Sequence, residues 1–174
     1  MITDIVKKTG VAKGTFYYYF PTKEAILEAI CTRWATELAT CFELESRHLS
    51  ALQKLQSFIA HQFAPDQLDR LSEKLWDDKQ FDLLYKMWQS QIEKVFNPLL
   101  IRIIEQGNED ESMHVLHLKE TIDFFWSTLN CLWEAFYFKE PFEVFSNKVK
   151  IAIIVLERIL GIHERTLEIS IDKR

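Results

Sequence analysis

Apolar residues recur along this chain with the period of a helix. Leu52, Leu55, Phe58, Ile59 and Phe63 fall on one helical face, and the pattern stops near Pro65. Asp66 stands where a cap belongs, ahead of Leu68, Leu71 and Leu75. From Phe81 the same spacing runs through Leu84, Tyr85, Trp88, Ile92, Val95, Leu99 and Ile103 to Gly107, with Pro98 expected to kink the element. Residues 117–138 are apolar on nearly every side, through Ile122, Phe124, Phe125, Trp126, Leu129, Leu132, Trp133, Phe136 and Phe138. A last helix is expected over 142–160. Its run Ile151–Leu156 suits a buried strand in isolation, but the apolar pattern around it is too long for one. The polar stretch from Gly107 to Ser112 predicts a loop, and the tail after Gly161 an irregular end.

The start of the chain is organised differently. Ile2, Ile5 and Val6 have helical spacing that ends at Gly10, a residue suited to terminate a helix. Propensity alone would make Phe16–Phe20 a strand. Yet Lys13 to Tyr19 also fits a short helix with Phe16 and Phe20 on one side at i and i+4, leaving Tyr17 and Tyr18 to face elsewhere. Pro21 stops that helix, and Thr22 can cap a third through Ile26, Leu27, Ile30, Trp34 and Leu38. Two short helices on a tight turn, followed by a long one, form a helix-turn-helix layout. Hydroxylated rings and lysines on its second helix suit phosphates and base edges.

Composition sharpens this. Only 4 Gly and 4 Pro in 174 residues imply few turns and long elements, hence an all-α chain. The total charge is −5, but residues 1–23 hold Lys7, Lys8, Lys13 and Lys23 against Asp4 alone, a net +3 that leaves −8 for the remainder. A basic head on an acidic body is what is expected if only the head meets a polyanion. The longest aliphatic run is too short to span a bilayer, and the charged start is unlike a signal peptide. Cys31, Cys41 and Cys131 are far apart and form no CxxC pair, so reduced, mostly buried thiols in a cytoplasmic protein are expected.

Motifs for catalysis are weak. Gly10–Thr15 lacks the ending of a phosphate-binding loop, and His61, His114 and His117 do not form a metal pattern. No enzyme activity, cofactor or metal is expected. The body's aromatic residues suggest a cavity for a flat or greasy molecule, lined by Phe81, Tyr85, Trp88, Phe125, Trp126 and Trp133, with His61, Gln89 and Asn130 as further polar candidates. The excess of apolar faces on 117–138 and on the last helix predicts a homodimer. Ile122, Phe125, Leu129, Leu132, Phe136, Ile151, Ile154 and Val155 would pair with their copies in a four-helix interface. Its size should be on the order of 2,000 Å² or more.

The stretch DIVKKTGVAKGTFYYYFPTKEAIL resembles the DNA-binding signature of the TetR family of bacterial transcriptional regulators. It agrees at Asp4, Ile5, Gly10, Val11, Gly14, Thr15, Phe16, Tyr17, Phe20, Lys23, Glu24 and Ile26. A fainter echo is NPLLIRIIEQG, Asn97 to Gly107. The resemblance implies a DNA-reading head and linking helix over 1–41 and a helical effector-binding and dimerisation domain over 42–174. It implies phosphate contacts from Tyr17 and Lys23, and major-groove contacts from Lys13, Thr15, Tyr18 and Tyr19. Ala12 stands where the family's helix is usually capped by Ser. The family's first helix has no counterpart before Met1, so binding to an operator is expected once such a helix is restored. The function implied is a repressor released from double-stranded DNA by a small hydrophobic effector. A reading of a different class is a helical ligand-binding or protein-interaction dimer whose head does not bind DNA.

Overall fold

The computed structural model describes residues 6–8, 10–64 and 68–169. The expectations that rest on Ile2, Asp4, Ile5 and the Asp66 cap lie outside these residues. Among the described residues all regular structure is helical, and no helix is long and apolar enough to cross a membrane.

Residues 6–8 are helical. Gly10 follows at φ 68°, its N–H donating to Val6 O at 3.2 Å. Helix α1 spans Lys13–Tyr19 and α2 Lys23–Glu45. Thr22 starts α2 as expected, its Oγ1 accepting the Ala25 N–H at 3.1 Å. Helix α3, Ala51–His61, opens on a capping box the sequence reading passed over. Ser50 accepts from the Gln53 backbone, and the Gln53 side chain accepts from the Ser50 N–H. Then come α4, Asp69–Asp77, and α5, Phe81–Gln91. A π-helical turn, Ile92–Phe96, leads directly into α6, Asn97–Glu109. Pro98 thus lies in the first turn of α6, where a missing N–H is tolerated, and the distortion expected of it takes the form of this wide turn just ahead. Helices α7, Leu118–Tyr137, and α8, Phe142–Leu160, complete the order and pack on each other.

The chain separates into two compact units, Met1–Thr40 with Gln67–Phe96, and Cys41–Asp66 with Asn97–Arg174. This division differs from the expected boundary at 41/42, because residues 67–96 cluster with the head. In the first unit, Leu27 and Cys31 of α2 meet Leu68, Leu75, Leu84 and Met87, with Trp34, Leu71, Trp76, Leu83 and Trp88 packed around them. The partnership of α2 with α5 is reinforced at the surface by Lys94, whose Nζ lies 2.6 Å from Glu28 Oε1. That hydrogen bond and the ammonium's charge hold the Glu28 carboxyl below its ordinary range. The second unit is centred on Leu55, Phe58 and Ile59, Leu100 and Ile104, Phe125, Leu129 and Leu132, and Leu156 and Leu160, all fully buried.

Two expectations are corrected here. Gly107 does not end a helix; α6 continues past it to Glu109. Its lack of a side chain serves packing instead, since a Cβ there would lie 2.6 Å from Met113 Cγ. Cys31 is buried, but Cys41 and Cys131 are exposed. The tail over 162–169 is irregular, as expected, yet anchored. Gly161 ends α8 at φ 62°, and Ile162 and Leu167 are buried. The buried Glu157 carboxylate accepts the N–H groups of Thr166 at 2.9 Å and Leu167 at 3.0 Å.

That clamp has a pH signature. Burial pushes the Glu157 carboxyl up, but the N–H groups of Leu167, Arg165 and Thr166 outweigh it and hold the group below its ordinary range. A depressed folded value means that the stabilisation is present above the unfolded glutamate pKa and is lost as pH falls through the folded one. Glu157→Leu should therefore cost about 1–3 kcal/mol at neutral pH. The gap to wild type should close as the solution is acidified through the carboxylate range, as followed by urea melts at stepped pH. A gap that does not change with pH would mean the carboxylate's charge is not what holds the tail.

Candidate nucleic-acid interface

Helix α1 divides its side chains sharply. Phe16 turns inward, with Phe20 at 5.6 Å between ring centroids and Tyr17 edge-on at 6.2 Å. Everything else on the helix faces water. Tyr17, Tyr18 and Tyr19 are 38%, 81% and 68% exposed. Lys13, Thr15 and Lys23 are exposed with them, so all the residues expected to touch DNA lie at the surface of the head. Tyr18 and Tyr19 stand edge to face at 5.2 Å, both rings exposed. Ala12 provides no side-chain cap, and no acidic residue occupies the first turn of α1. The local field is therefore that of Lys13 and the helix N-terminus, both attractive to an anion.

The nine residues expected to line a pocket divide between the units. Phe81, Tyr85, Trp88 and Gln89 belong to the first; His61, Phe125, Trp126, Asn130 and Trp133 belong to the second. Phe81 and Tyr85 are exposed, as is Asn130. The polar members are engaged locally: His61 Nδ1 lies 2.7 Å from Ser57 O, Gln89 donates to Glu93 at 3.0 Å, and Asn130 donates to Glu134 at 2.9 Å. Each is an i to i+4 contact along one helical stretch.

In the second unit, Trp126 and Trp133 stack at 6.1 Å and 26°. Trp126 Nε1 donates to Asn97 Oδ1 at 2.6 Å, and Trp133 Nε1 donates to Gln62 O at 3.2 Å. Phe125 is sealed between Phe58 and Trp126, at 6.2 and 5.4 Å.

The residues expected at a dimer interface differ in burial. Ile122, Phe125, Leu129 and Leu132 form the inward stripe of α7 and are buried within their own unit, Phe136 is half-buried, and Val155 of α8 is half-buried too. Ile151 and Ile154 are exposed as expected. On α7 the ring that points outward is Phe124, at 65% exposure. Among the described residues, no group of three or more His, Cys, Asp or Glu side chains could hold a metal ion.

Two buried polar residues escaped the sequence reading, Ser72 on α4 and Gln91 on α5. Their signal was available. Ser72 lies at i+4 from Leu68, and Gln91 at i+4 from Met87 and i+7 from Leu84, so both fall on apolar faces.

Comparison with known proteins bears on the head. Over 35 residues the chain is 54% identical to the "Uncharacterized HTH-type transcriptional regulator YvdT" of Bacillus subtilis (strain 168). The matched stretch is 20% of this chain and 18% of that relative, so the chain spans about a fifth of the curated relative it matches. Residues 2–30 match the family described as bacterial regulatory proteins, tetR family. The exposed tyrosines and lysines of α1 and the capped start of α2 thus lie within the stretch, residues 2–30, that is similar to the N-terminal helix-turn-helix segment of bacterial regulatory proteins of the tetR family.

Proposed function

We propose that this protein is a DNA-binding transcriptional repressor that works as a homodimer and is released from its operator by a small apolar effector. The observation that carries this reading is the exposed ridge of Tyr17, Tyr18 and Tyr19 between Lys13 and Lys23, on a helix anchored from behind by Phe16. Hydroxyls and ammonium groups so arranged can bond phosphates and base edges at once. Lys23 and Tyr17 take the backbone, while Lys13, Thr15, Tyr18 and Tyr19 face the groove.

Salt titration separates these roles. In a form that carries a family-like first helix, Lys23→Ala should weaken binding to every duplex and lower the slope of log affinity against log salt by about 0.9 per head. Tyr18→Ala should change which duplex is preferred. Equal losses across all sequences from both variants would make Tyr18 a phosphate contact. No binding to any duplex by that form would favour the reading of a ligand-binding or protein-interaction dimer.

Dimerisation is assigned to the outer faces of α7 and α8, where Phe124, Ile151 and Ile154 are exposed together with Phe142 and Val144. Apolar surface of that extent is characteristic of an interface. Ile154→Lys should give monomers or aggregate, because a lysine buried against a partner has nothing to offset its desolvation. Light scattering after size exclusion reads the outcome, and a monodisperse wild-type monomer would overturn the dimer.

A further inference from the structure

We draw no further inference here: the strongest candidate, the outward apolar stripe of α7 and α8 formed by Phe124, Ile151 and Ile154 with the exposed Cys131 thiol at i+7 from Phe124, belongs to the surface already assigned to self-association, and nothing in the structure shows what the thiol would meet.

Discussion

Phe125→Ala should cost the fold about 3–5 kcal/mol. Against a total of about 5–15 kcal/mol for a domain, that loss places the variant near or beyond unfolding. The ring is fully buried, and Phe58 and Trp126 sit against it and against each other at 6.0 Å, so its removal opens a cavity that three helices would have to close. The neighbours are rings with few rotamers, and Trp126 is tied to Asn97, so the walls have little freedom to collapse. The contrast with Phe124 makes the prediction sharp. That ring is the adjacent residue but points outward, so Phe124→Ala should leave the stability of the protomer within about 0.5 kcal/mol and act on self-association. Denaturant melts at two protein concentrations, paired with light scattering, distinguish the two effects. If Phe125→Ala dissociated a dimer and left the melting of the protomer unchanged, its assignment to the core would fail.

The second large effect is expected at Gly161. Its backbone is left-handed, and its N–H closes the end of α8 on Glu157 O. A Cβ at this position would lie 2.8 Å from both the carbonyl oxygen and the Cβ of His114, and 3.0 Å from its nitrogen. These are mostly backbone atoms, held in turn because the His114 N–H donates to Leu160 O at 2.9 Å. Gly161→Val combines the conformational cost of the left-handed region with a clash that a rotamer change cannot relieve, together about 2–4 kcal/mol. Gly161→Asn separates the causes, since asparagine tolerates the left-handed region yet carries the same Cβ. It should recover only part of the loss. Full recovery in denaturant melts would mean that His114 gives way and only the dihedral matters. Gly107→Ala is the milder case, because the atoms it would meet belong to the flexible side chain of Met113.

The helices were legible because their signals are local. Lys13–Tyr19 and Phe142–Leu160 follow from periodicity bounded by Ala12, Pro21, Pro141 and Gly161, and the tyrosine ridge follows from the i to i+4 pairing of Phe16 and Phe20. What failed required knowledge of neighbours. Gly107 looks like a helix end until Met113 is seen lying against it, and the tail looks loose until Glu157 is found beneath it. Phe124, Phe125 and Trp126 announce that one ring faces outward, but periodicity alone did not say which. The π turn at Ile92–Phe96 adds to this difficulty. It inserts a wider step into a pattern read at constant period, so Phe96 is buried where Val95 was expected. The local contacts of His61, Gln89 and Asn130 were not legible either: a side chain that looks available in sequence is easily engaged by a residue four positions away.

The stacked pair Trp126 and Trp133 has an optical consequence. Two indoles held nearly parallel at 6.1 Å do not absorb independently; their transition dipoles couple, and in a chiral frame the coupling splits the aromatic circular dichroism into bands of opposite sign. Both rings lie on α7 and are fixed through their Nε1 bonds to Asn97 and Gln62, so their contribution reports the packing of the second unit, while Trp34 and Trp88, 5.9 Å apart, contribute a couplet from the first. Trp34, Trp76 and Trp88 all belong to the first. With Trp34→Phe removing the first pair, the remaining couplet becomes an intrinsic spectroscopic label for the loosening of the second unit.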